Sequence, residues 1–318
     1  MPEDVLLLHD ALLTLLSAHD AVTLNLANCG TAMRFLTAFC ASRPMPPVVL
    51  TGNQRMLQRP VSQLVDVLRE AGADIEYLQQ EGFPPLKIQG QMLPSATMRL
   101  PAPLSSQFVS AMMLVGLKVA TDCRSPYISI TRTCLENYNS LRNNPIENDW
   151  SAAAFWYEWL ALHPQAGELF LQGLLLPSVQ GDSAVTDIFL NIGVETEAVA
   201  GGVVIRAVEQ KKAALNLDFS LTPDLYPAVA MTCHALCIRL QATGTQALRI
   251  KESDRLAAIK DILAGSRSTR HDHRIAMALL AADMPADDID CIRKSYPQFV
   301  QQLQAADNEL HRQNICRP

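Results

Sequence analysis

The sequence predicts an α/β protein of two domains, assembled from a repeated helix–strand module. Three observations carry this expectation. A chain of 318 residues exceeds what one hydrophobic core usually organises. A unit of helix, glycine, strand, turn and strand recurs along it. Apolar strand-like runs hand over to helix-periodic stretches through short junctions rich in Arg, Lys, Thr and Gly. With 49% hydrophobic and 18% charged residues, the chain has the composition of a well-packed globular protein.

The elements follow in order. Asp4–Ala18 reads as a helix and Val22–Leu26 as a strand, which runs into Ala27-Asn28-Cys29-Gly30-Thr31-Ala32-Met33-Arg34. Pro47–Thr51 reads as the next strand, followed by Gly52-Asn53-Gln54-Arg55 and Arg59-Pro60. Pro60 is expected to open the helix Val61–Ala71, since a first-turn position needs no N–H. Gly72 then stops that helix, and Asp74–Leu78, the turn Gly82–Pro85 and Leu86–Gln89 complete a hairpin. Ser105-Ser106-Gln107 reads as the capped start of a helix Phe108–Val119. Ile128–Leu141 is a further helix, leading into Arg142-Asn143-Asn144-Pro145-Ile146 without a hairpin. The module returns as the helix Ser183–Asn191, Gly193, and the strands Val194–Val199 and Val203–Ala207 about a Gly-Gly turn. Ala228–Leu240 reads as an apolar helix, Ala247–Ile250 as a strand, and Leu256–Leu263 and Ile275–Ala282 as helices. Such repeats build layered α/β modules.

Composition excludes several classes of function. A net charge of −6 argues against non-specific nucleic-acid binding, so any basic site is local and aimed at a small anion. No apolar run approaches the ~18 residues of a membrane span. The start, Met1-Pro2-Glu3-Asp4, lacks the basic region of a signal peptide, and the eight cysteines are scattered among apolar stretches. Both features point to a cytoplasmic protein with reduced thiols. Cys233-His234 with Cys237 lies in an apolar helix pattern and reads as core packing rather than a metal site. His271-Asp272-His273 reads as a polar loop that presents Arg274.

The junctions carry the chemistry. In Lys251-Glu252-Ser253-Asp254-Arg255, charged residues stand just ahead of a helix, where backbone N–H groups and the dipole favour an anion. Lys and Arg add full positive charge there, and Glu and Asp add groups that can move protons. Gly30-Thr31 offers N–H groups and a hydroxyl, and Thr269–Arg274 leads into another helix. Recurrence of this pattern points to converging anion sites.

These stretches resemble the 5-enolpyruvylshikimate-3-phosphate synthases. NCGTAMRF (28–35), LTGNQRMLQRP (50–60), LSSQF (104–108), SPYISIT (125–131), Pro223-Asp224, RIKESDR (249–255), HDHRIAM (271–277) and RKSYP (293–297) occur in the family's order. The resemblance implies an inside-out α/β barrel of βαβαββ modules in two domains with pseudo-threefold symmetry. The domains would cover residues 1–146 and 147–318, with the active site in the cleft between them. It implies transfer of the enolpyruvyl group of phosphoenolpyruvate to the 5-hydroxyl of shikimate 3-phosphate, by addition and elimination, with release of phosphate. No metal or other cofactor is implied, and the protein would be a monomer.

The resemblance also implies roles. Arg55, Arg255, Arg274 and Lys294 match cations that bind phosphoenolpyruvate, and Asn28, Gly30 and Thr31 match the loop lining its pocket. Ser105, Ser106, Gln107 and Ser125 match the cradle of shikimate 3-phosphate, and Tyr127 lines the ring pocket. Asp224 matches the base for the 5-hydroxyl, Lys251 a catalytic cation bridging both substrates, and Glu252 the acid for the methylene carbon. Two departures stand out: the family's N-terminal Lys-Ser…Arg motif has no counterpart, and Phe35 replaces a usual Pro, with an expected tilt of its helix. Two alternatives follow, the sister transferase acting on UDP-N-acetylglucosamine and a catalytically impaired scaffold of the same fold. The stretch Gly52–Gln58 lacks the sister enzyme's loop cysteine.

Overall fold

The structure is a computed structural model describing residues 1–94, 97–141, 146–209 and 211–315. The junction 142–145 read from the sequence lies outside the described residues. The chain divides into two compact units, Glu3–Ser140 and Leu141–Pro318.

Unit one begins with helix α1 (Glu3–Ser17), strand β1 (Val22–Asn25), α2 (Gly30–Ala41), β2 (Met45–Thr51), α3 (Ser62–Glu70), β3 (Asp74–Tyr77) and β4 (Leu86–Gly90). From β1 to β4 this is one βαβαββ sequence. Its sheet has the order β1-β2-β4-β3, with β1 parallel to β2 and the β3–β4 hairpin antiparallel. Then come β5 (Thr97–Arg99), α4 (Ser106–Leu114), β6 (Lys118–Ala120), α5 (Pro126–Glu136) and α6 (Tyr138–Leu141). Here β5 and β6 pair in parallel, the αβ crossover without the hairpin. The core is formed where α2 and α4 bury Met33, Leu36, Phe108 and Met112 against Leu24, Leu50 and Ile88 of the sheet.

Unit two contains α7 (Trp150–Leu162), β7 (Glu168–Gln172), α8 (Val185–Leu190), β8 (Val194–Val199), β9 (Gly202–Ala207), β10 (Ala214–Asp218), α9 (Tyr226–Ala235), β11 (Arg239–Thr243), α10 (Arg255–Leu263), α11 (His273–Ala281) and α12 (Phe299–Ile315). Strands β7-β9-β8 form an antiparallel sheet, and β10 and β11 a parallel pair. Helix α7 is buried on every side: Trp150, Phe155, Tyr157, Trp159 and Leu160 are all core. A helix enclosed all round shows no amphipathic period, so the sequence pattern did not announce it.

Several predicted boundaries are corrected. Helix α4 ends at Leu114, not Val119. Gly116 takes a φ of +83°, and a Schellman closure forms, Leu117 N–H to Met112 C=O at 3.0 Å and Gly116 N–H to Met113 C=O at 3.0 Å. That stop releases Lys118–Ala120 as a strand. The predicted helix Ala228–Leu240 stops at Ala235 by the same closure, with Cys237 at φ +56° in the glycine position, so Arg239–Thr243 is strand. A cysteine gives no sequence warning of a helix stop. Ile128–Leu141 is interrupted at Asn137 into α5 and α6. Ala247–Ile250 is a 3₁₀ turn rather than a strand. Pro60 precedes the N-cap Val61 instead of opening α3. Among the described residues, α10 passes to α11 through coil, without a strand.

Candidate functional site

In unit one, three helix starts present the predicted groups. Cys29 caps α2, its Sγ accepting from Ala32 N–H at 3.3 Å, and Gly30 and Thr31 open the helix. Ser105 caps α4 by accepting from Gln107 N–H at 3.3 Å. Ser106 is the first residue of that helix. Gln107 Nε2 donates to Thr31 Oγ1 at 2.9 Å, tying the α2 and α4 starts together. Ser125 occupies the N-cap position of α5, with Pro126 and then Tyr127 in its first turn. A 2.7 Å bond between Ser110 and Thr131 hydroxyls couples α4 to α5. Arg55, half-buried, stands at the turn Met56–Gln58 after β2. The Asn28 carbonyl accepts from Arg59 Nη1 at 3.5 Å.

Two cations at this place received no role from the sequence. Arg34 and Arg59 are 3% and 5% exposed. A Cβ added at Gly30 would lie 2.3 Å from Arg34 Nη1 and 2.7 Å from Arg59 Nη1. The two guanidinium ends therefore flank the bare Gly30 position, which no side chain can share without displacing them. One signal was readable: Arg34 is charged on a helix face otherwise made of buried residues, one turn beyond Gly30.

Unit two carries the remaining groups. Asp224 sits on the turn Pro223–Leu225 ahead of α9, Lys251 and Glu252 precede α10, and Arg255 opens α10. Asp272 caps α11 through the Arg274 N–H at 3.0 Å. Arg255, 1% exposed, is the hub. Its Nη1 donates to Asp224 Oδ1 at 2.7 Å, Nη2 to Glu252 Oε2 at 2.8 Å, and Nε to Asp272 Oδ2 at 2.8 Å. Ser253 Oγ donates to the same Asp272 oxygen at 2.9 Å. Asp224 also pairs with Lys251 Nζ at 3.2 Å and, through Oδ2, with Arg274 Nη2 at 3.2 Å. Lys294 stands on a separate turn, Asp290–Lys294, half-buried.

Electrostatics follow from this packing. Burial alone would raise the pKa of Asp224, but Arg274, Lys251 and Arg255 outweigh it and hold the carboxyl well below its usual range. Asp272 is likewise lowered: Arg255 overrides the cost of burial. Burial opposes the charge on Arg255, yet Asp272, Glu252 and Asp224 secure it and raise its pKa. His273 is pushed down to about 3, chiefly by burial, and stays neutral. Asp224, Asp272, Arg255 and Arg274 are thus held in their charged forms by one another at hydrogen-bond or ion-pair distance, which is the condition for keeping charges inside a protein. No group of acidic, His or Cys residues among the described residues forms a metal-binding set. No helix among them is long and apolar enough to cross a membrane.

Helix starts carrying Ser, Thr and Gly in unit one, and Lys and Arg beside ionised carboxylates in unit two, are features of α/β enzymes that handle small phosphorylated or carboxylated molecules. A sequence profile described as EPSP synthase (3-phosphoshikimate 1-carboxyvinyltransferase) matches residues 4–140 and 136–265. A 3-phosphoshikimate 1-carboxyvinyltransferase of Bacteroides fragilis is 35% identical, over 87% of this chain and 81% of its own. One from Vibrio atlanticus is 31% identical, over 90% of this chain and 80% of its own. The EPSP synthase structure from Acinetobacter baumannii superposes with a TM-score of 0.63 at 22% identity, covering 90% of this chain and 79% of that one, a likeness of fold. The chain belongs to the EPSP synthase family. The reading as a UDP-N-acetylglucosamine transferase is not favoured by these relatives.

Proposed function

We propose that the chain transfers the enolpyruvyl group of phosphoenolpyruvate to the 5-hydroxyl of shikimate 3-phosphate, releasing phosphate. The observation that carries this reading is the Asp224 carboxylate, held at once by Lys251, Arg255 and Arg274. In this reading the Ser105–Gln107 start of α4 and Ser125 take the phosphate of shikimate 3-phosphate, with Tyr127 against its ring. Arg274, Lys294, Arg55 and the Gly30–Thr31 helix start take phosphoenolpyruvate. The order β1-α2-β2-α3-β3-β4 supports the βαβαββ module, and barrel closure with threefold pseudo-symmetry belongs to the same proposal.

The geometry suggests how the base is switched on. In the free protein Asp224 is too well paired to take a proton readily. A phosphate or carboxylate that engages Arg274 and Lys251 withdraws those cations from Asp224 and raises its affinity for the hydroxyl proton. In this reading Glu252, anchored by Arg255 Nη2, serves in its protonated form as the acid for the methylene carbon, and Lys251 as the cation shared between substrates. Arg255 lies behind these groups, its donors engaged by Asp224, Glu252 and Asp272, so it acts by holding acids as well as by attracting anions. The free thiols support a reducing, cytoplasmic setting, and we expect a monomer. The test is phosphate release from the purified chain: release that needs both phosphoenolpyruvate and shikimate 3-phosphate is expected. Release with UDP-N-acetylglucosamine instead, or none at all, overturns the reading.

A further inference from the structure

The starts of α2 and α4 are joined by contacts of two kinds. Behind, the seam is closed: Phe108 and Arg34 are both buried, with the Arg34 guanidinium 5.7 Å from the Phe108 ring centroid. In front lies an adjustable tie. Gln107 Nε2 donates to Thr31 Oγ1 at 2.9 Å, and both side chains are half-buried, within reach of a ligand. Thr31 differs here from Thr37, Thr131 and Thr232, each of which donates its hydroxyl to the carbonyl four residues back, at 2.7, 3.1 and 2.7 Å. As the second residue of α2, Thr31 has no turn of helix behind it, and its oxygen accepts from Gln107 instead. With that lone pair taken, its hydrogen is left for another acceptor, beside the N–H groups that open α2. Gln107 keeps a second N–H and a carbonyl oxygen on a long, rotatable side chain.

We infer that the Gln107–Thr31 hydrogen bond couples the binding of the two substrates: the phosphate of shikimate 3-phosphate at the α4 start fixes the Gln107 side chain, and the fixed amide orients the Thr31 hydroxyl to donate to phosphoenolpyruvate at the α2 start. Gln107 is thus a positioning residue for Thr31. The inference rests on the functional reading above for the identity of both anions. The coupling is one of order. Holding a Gln side chain in one geometry costs rotamer freedom. The first substrate bears that cost, and the second meets a hydroxyl already aimed. The packed seam of Phe108 on Arg34 leaves the helices in place, so the side chains carry the effect. Linkage makes it reciprocal, each substrate tightening the other by the same factor.

The test is calorimetry in an Asp224→Ala background, where both substrates can be held with little turnover. Phosphoenolpyruvate is titrated without and with saturating shikimate 3-phosphate. With Thr31 intact, shikimate 3-phosphate should tighten phosphoenolpyruvate binding about five- to tenfold, the lower part of the range common for coupled sites. In Thr31→Val, which keeps the shape of the side chain and loses the hydroxyl, the factor should fall below about twofold, and Thr31→Ser should restore it. Ser110→Ala is the control. Ser110 and Thr131 share a 2.7 Å hydrogen bond between α4 and α5, so its loss loosens unit one without touching the Gln107–Thr31 tie, and the factor should stay. A factor unchanged in Thr31→Val, or lost equally in Ser110→Ala, overturns the inference. So does a parent that binds both substrates without coupling. A wild type that binds neither substrate overturns the functional reading, and the inference with it.

Discussion

Unit one and unit two both bring cations to helix starts, but they surround them with different chemistry. In unit one Arg59 donates to a backbone carbonyl and Arg34 lies over the Phe108 ring, 5.7 Å from its centroid. Both reach the side-chain-free position at Gly30. In unit two Arg255 meets three carboxylates and Asp224 meets three cations. A backbone carbonyl and a π face are among the partners of the first set, and full charges of opposite sign surround the second. The difference teaches where each is vulnerable: unit two to the loss of a charge, unit one to the loss of space.

The largest effect is expected at Arg255. Arg255→Ala leaves Asp224, Glu252 and Asp272 clustered without their shared counter-charge, and breaking a buried ion pair from one side typically costs about 3–5 kcal/mol. Denaturant unfolding should show that loss. A change under about 1 kcal/mol would mean that the cluster is not buried as described, and the contrast between the units would fail. A smaller effect is expected at Gly30. The added methyl of Gly30→Ala meets guanidinium ends rather than backbone, so those ends shift, with a cost at the lower side of the ~1–3 kcal/mol typical of overpacking. The displaced cations should show mainly as a raised KM for phosphoenolpyruvate. An unaltered KM together with unaltered stability would separate Arg34 and Arg59 from the site.

Much of this arrangement was legible in the residues. The hairpin modules announced themselves through Gly72 and Gly193 after their helices, and the β8–β9 hairpin matches the reading closely. The charged run Lys251–Arg255 marked the site because charges rarely crowd a helix start without a partner. What escaped notice has physical causes. Helix α7 is apolar on all faces, so it carries no period. Cys237 stands in a left-handed position that usually calls for glycine. The partners of Arg255 are not visible either, since Asp272 is far along the chain and meets it only through the packing of α10 on α11. The buried Asp182 offered no signal either: its hydrogen-bond partner Ser151 stands far back along the chain, in α7.

The most direct measurement is single-turnover phosphate release by Asp224→Ala beside wild type, with shikimate 3-phosphate binding followed by calorimetry. The account predicts a loss of about 10²–10⁴ in rate, the usual contribution of a general base, with binding of shikimate 3-phosphate largely retained. An unchanged rate in a variant that still binds would contradict it.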